Sequence, residues 1–108
     1  DPHKFLTSVL SEYSLPTQWA NSFEDETHTP LVRFETETAL SRTGKDVGTP
    51  ILTFKPGTPN EGSFFGPVIS RIPRGEQAVK LWEAVEIVAT TPGVAELKRS
   101  IRGALDFS

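Results

Sequence analysis

The side chains best able to do covalent chemistry are few in this sequence, and they are not spaced for it. His3 and His28 are the only imidazoles, and neither lies in H-E-x-x-H or in any other metal-ligand spacing. Each reads as a surface or capping residue. Ser70 and the other hydroxyls have no G-x-S-x-G setting that would make one a nucleophile. Gly48, Gly57, Gly62 and Gly66 are too scattered to cradle a phosphate. The run Glu24-Asp25-Glu26 could gather a cation or mimic a phosphate, although a solvated loop explains it more simply. Lys98, Arg99 and Arg102 could meet an anionic thiol compound or a phosphate, or could be the wet side of a helix. Phe54, Phe64 and Phe65 could form a stacking platform for a base or a flavin, or simply a core. Cysteine is absent, so the chain carries no thiolate, no disulfide and no Cys-based metal site. Chemistry alone therefore stops at an α+β domain with no resident nucleophile.

Length and charge narrow the reading further. With 108 residues and 36% hydrophobic content, one domain with a modest buried fraction is expected. A formal charge of −3, with mixed signs along the chain, lacks the basic footprint that nucleic-acid binding requires. No apolar run approaches the roughly 18–20 residues that span a bilayer, so a soluble chain with no membrane partner is expected. A chain that opens on Asp1 rather than Met is expected to be a processed form or a piece of a longer protein.

The elements that must position these residues follow in order. Asp1-Pro2 reads as an N-cap with proline at the first helical position, and Phe5, Leu6, Val9, Leu10 and Tyr13 then make one apolar stripe. Pro16 starts a short second helix carrying Trp19, Ala20 and Phe23. Thr29-Pro30 opens a third of roughly thirteen residues, in which Leu31 and Phe34 blur the period and Gly44 is the stop. Ile51-Leu52-Thr53-Phe54 and Ser63-Phe64-Phe65, joined by a Pro/Gly/Asn-rich loop, read as an antiparallel hairpin. Gly66-Pro67 and Ile72-Pro73 bracket a connector that cannot be a central strand throughout. Ala78, Leu81, Trp82, Val85, Val88 and Ala89 predict an amphipathic helix. Thr91-Pro92 then predicts a final one with Val94, Leu97, Ile101 and Leu105 on its apolar side. Between the third helix and the hairpin, Thr49-Pro50 is compatible with a cis bond or with an ordinary turn from helix to strand.

Four segments carry a family resemblance. They are Asp46-Val47-Gly48-Thr49-Pro50, the run from Phe64 to Glu76, Leu81-Trp82-Glu83, and Thr91-Pro92-Gly93-Val94-Ala95-Glu96-Leu97-Lys98-Arg99. In that order they resemble the C-terminal part of DsbA-family thioredoxin-fold proteins, in particular the actinobacterial branch of mycothiol-dependent disulfide oxidoreductases and nitroreductases. The likeness covers residues 46–102, and residues 1–45 resemble the family's helical insertion only in pattern. It implies a helical subdomain over 1–45 and a thioredoxin-like ββα segment with a final helix over 46–108. It further implies a cis-proline at Pro50, and a substrate- or thiol-binding role for Gly48, Thr49 and Pro50. Mycothiol or a similar small thiol would be the co-reactant, and a cytoplasmic location is expected.

The family's N-terminal βαβ half, with its redox cysteine, has no counterpart in these residues. The resemblance therefore implies a partial oxidoreductase domain, inactive alone, whose partner is that half or a second copy joined through the hairpin edge. The alternative is a non-enzymatic interaction domain using the hairpin edge and the face around Trp19.

Overall fold

Asp1 begins the first helix because its carboxylate accepts the His3 N–H at 3.0 Å, while Pro2 occupies a position whose missing N–H costs nothing. The computed structural model describes all 108 residues, and helix α1 spans Pro2–Glu12. Ser14, in the left-handed region at φ 57°, turns the chain back. Thr17–Phe23 then packs on α1 and buries Ala20. This second helix is of the 3₁₀ type, with the Trp19 N–H donating to the Pro16 carbonyl three residues back at 3.2 Å. A further 3₁₀ turn, Glu26–His28, leads into α2, Thr29–Thr43. Helix α2 stops at Gly44, whose φ of 89° is cheap only for glycine.

The chain divides into two compact units, Asp1–Thr38 and Ala39–Ser108. In the first unit Phe5, Trp19, Phe23, Leu31 and Phe34 all remain more than half exposed.

In the second unit β1, Ile51–Phe54, pairs antiparallel with β2, Gly62–Phe65, in a two-stranded sheet. The register places Ile51 opposite Phe65 and Phe54 opposite Gly62. Because side chains alternate, Leu52, Phe54 and Phe64 share one face, and Ile51, Thr53, Ser63 and Phe65 the other. Helix α3, Gly75–Thr90, packs against the sheet. Phe54 is buried at 7% exposure, its ring tilted 54° to that of Trp82 with centroids 5.1 Å apart. Directly across from Phe54, Gly62 lies under the α3 backbone, where a Cβ would fall 1.9 Å from the Ala89 carbonyl oxygen. On the opposite face the Thr53 and Ser63 hydroxyls share a 2.8 Å hydrogen bond. No helix is long and apolar enough to cross a membrane.

The final helix expected after Thr91-Pro92 does not form. Residues 92–108 contain a turn and a single bridge between Arg71 and Asp106, but no helix. Gly93, at φ 87°, breaks the backbone direction directly after α3. The stripe that would have driven helix formation has nothing to pack on, since Leu97 and Ile101 are 82% and 88% exposed. An isolated helix of that length is marginal in water.

Gly62→Ala should therefore destabilise the hairpin–α3 unit by about 1–3 kcal/mol, the usual cost of overpacking. Urea unfolding followed by far-UV circular dichroism would measure it. Because the clash is with the Ala89 backbone, adding Ala89→Gly should not restore the loss.

Candidate functional site

Gly48, Thr49 and Pro50 lie exposed on the segment that links α2 to β1. Two contacts fix that segment on the hairpin. The Pro50 carbonyl accepts the Gly66 N–H at 2.8 Å, extending the pairing of the strands by one step. Gly48 sits against the Phe65 ring, and a Cβ there would come within 3.2 Å of it. Glycine is thus what lets the backbone lie flat on the aromatic face. The Thr49-Pro50 and Gly66-Pro67 peptide bonds are both cis.

The backbone N–H and C=O groups of Gly48 and Thr49 make no hydrogen bond within the chain. An exposed stretch of this kind offers donors and acceptors to an extended ligand in the manner of an added strand, and Pro50 supplies no donor that could compete. The loop's Thr49 hydroxyl has no base hydrogen-bonded to it, and none of Gly48, Thr49 and Pro50 carries a side chain that can pass electrons.

The other candidates resolve into structure. Asp25 caps the 3₁₀ turn, accepting from the Thr27 hydroxyl at 2.6 Å and the Thr27 N–H at 3.0 Å, and it pairs with His28 at 3.5 Å. The Thr27 hydroxyl, then the Thr27 N–H, hold its carboxyl below the ordinary value. The His3 ring lies 2.9 Å from the Asn21 side-chain oxygen and ties α1 to the 3₁₀ helix. Phe54 is core under Trp82, and Phe64 and Phe65 are half-buried on opposite sides of the sheet. Lys98, Arg99 and Arg102 lie exposed on a stretch without helix, so they do not form the helical basic face expected of them.

Residues 1–99 match the family model described as Rv2466c-like, mycothiol-dependent nitroreductase Rv2466c. The chain belongs to this family. Membership brings a mycothiol-associated oxidoreductase function into view for the family as a whole. The matched residues include the loop, the hairpin and α3, together with residues 1–45, whose motifs alone showed only a general pattern. Residues 100–108 lie beyond the match.

Two features of the site had no specific mark in the sequence. The close seat of Gly48 on Phe65 depends on strand register, and the second cis bond sits at a Gly-Pro pair that reads equally well as a trans turn.

The Asp25 cap yields a pH prediction. Its carboxyl is lowered in the folded chain, so the turn is held at pH above the ordinary carboxylate value and loosens as pH falls through the lowered one. Carboxyl-detected NMR titration should place Asp25 below the ordinary aspartate value, and Thr27→Val should move it back toward that value.

Proposed function

We propose that this chain supplies the cis-proline side of a mycothiol-dependent oxidoreductase site. The backbone of Gly48 and Thr49, beside Pro50, holds an extended thiol or disulfide segment, while the redox sulfur belongs to a segment outside these residues. The observation that carries the reading is the exposed, unpaired backbone of Gly48 and Thr49, on a loop fixed by the Pro50–Gly66 hydrogen bond. Membership of a mycothiol-dependent family supports the ligand class. With no cysteine present, thiol exchange has no partner sulfur on the chain, so the role of these residues is to bind and orient.

On this reading the hairpin and α3 are the C-terminal part of a DsbA-like thioredoxin fold. A two-stranded sheet with one helix leaves strand edges open and much apolar surface in water, and both features favour completion by a further segment. The partner is a thioredoxin-like half or, failing that, a second copy.

Mycothiol titrated into the ¹⁵N-labelled chain should shift the Gly48 and Thr49 amides first, and Gly48→Val should reduce the effect by crowding Phe65. Shifts confined to other regions would overturn the assignment. Light scattering at low micromolar concentration should show a mass above that of one chain, and an ordered monomer would sink the idea of completion through the edge.

A second reading rests on a separate observation. Trp19 and Phe23 are more than half exposed on one short 3₁₀ helix, as expected of an interaction domain without catalysis. Adding a cysteine-bearing thioredoxin-like polypeptide separates the two readings. Restored nitro reduction with mycothiol favours the first, whereas association without turnover favours the second.

A further inference from the structure

The last six residues, Gly103–Ser108, lie outside the family match and are nonetheless fastened to the connector between β2 and α3. The Asp106 N–H donates to the Ser70 carbonyl at 2.6 Å, and Asp106 and Arg71 form a parallel bridge. The Asp106 carboxylate lies 3.3 Å from the Arg71 guanidinium, and Arg74 donates to the Ser108 carbonyl at 2.9 Å. Gly103 lies against Ser70, where a Cβ would come within 3.0 Å of the hydroxyl oxygen. The attachment is polar and made along the backbone. Leu105 and Phe107, on either side of Asp106, stay 71% and 74% exposed. Beside the connector runs an open groove of about 460 Å³, walled by Ile69, Ile72, Pro73 and Leu81 with Arg71 and Lys80 on its rim. None of residues 103–108 lines it.

The geometry points to the connector Ser70–Arg74 as a docking edge for an extended peptide that carries a carboxylate between apolar residues, an edge that the chain's own Leu105-Asp106-Phe107 occupies in cis. The features of the edge define its ligand. The Ser70 carbonyl takes the backbone N–H of Asp106, Arg71 takes the carboxylate of that same residue, and Arg74 takes the carbonyl two residues further on. This is strand addition with one charged checkpoint. The groove gives a peptide arriving in trans an apolar wall that the cis segment leaves uncovered. The cis segment competes through its tether at an effective concentration of roughly millimolar, and only a weak attachment lets a partner displace it. The exposed Arg71–Asp106 pair is weak in that sense. The inference is independent of the redox reading, since the loop at Gly48–Pro50 takes no part in it.

The test uses the ¹⁵N-labelled full chain and a synthetic Gly-Ala-Leu-Asp-Phe-Ser peptide, with the Ser70, Arg71 and Ile72 amides as the readout. Asp106→Asn in the chain weakens the cis competitor, so the peptide should bind that variant up to about fivefold more tightly than the unsubstituted chain, the range an exposed ion pair spans. The same peptide with Asn in place of its aspartate should lose that gain, and adding Arg71→Gln to the chain should abolish it. Equal binding to the two chains, indifference to the peptide's carboxylate, or shifts that miss Ser70–Ile72 would each overturn the proposal.

Discussion

The approach of the β2 backbone to the end of α3 governs the rest of the second unit. Gly62 must lack a side chain because the Ala89 carbonyl occupies the place where one would be. Nearer the start of α3, Trp82 covers Phe54, the residue paired with Gly62 across the hairpin. One glycine and one aromatic pair thus hold two stretches of α3, around Ala89 and around Trp82, to the same end of the hairpin. The Lys55–Glu86 pair at 4.0 Å adds little, since both groups remain substantially exposed. The packing places Phe65 on the face away from the helix, available for the backbone of Gly48. The position of the candidate loop is therefore a consequence of how α3 seats itself, even though loop and helix lie on opposite sides of the sheet.

The same arrangement explains why so little of the chain is buried. A two-stranded sheet has one face for α3 and one for everything else, and its edges have no third strand. The buried hydrophobic residues are Ala20, Phe54 and Ala89 alone. Hydrophobic stabilisation follows the area removed from water, and a core of that size leaves a small margin over chain entropy. The exposed apolar side chains are not scattered singly. Trp19 and Phe23 share one short helix, and Val79, Trp82 and Ile87 share α3.

How much was legible in the sequence depended on the range of the interaction that decides each feature. The Asp1-Pro2 start of α1 and the Gly44 stop of α2 are local, since each depends on one residue's own donors, acceptors or φ, and both could be read directly. The hairpin was legible because turn-forming residues separate two β-prone runs. The final helix was misread for the opposite reason. Val94, Leu97, Ile101 and Leu105 have the right period, but a period becomes a helix only when another surface covers the stripe, and here none does. Gly62 looked like one more loop glycine, because its role comes from Ala89 far along the chain. The candidate site divided in the same way. Family likeness located Gly48–Pro50, while the open state of that backbone and its seat on Phe65 are tertiary facts.

A binding loop without a reactive group is consistent with the division of labour in a thiol-reductase site. The sulfur needs a lowered pKa and partial exposure, whereas the substrate segment needs to be held at a fixed distance and direction. These requirements are separable, because backbone hydrogen bonds can align an extended segment whatever residue performs the exchange. In the role proposed above, Gly48 and Thr49 would meet the second requirement through backbone atoms alone, and the one side-chain constraint the structure shows is the room Gly48 must leave for Phe65. A residue that acts through its backbone leaves no mark in an inventory of reactive side chains.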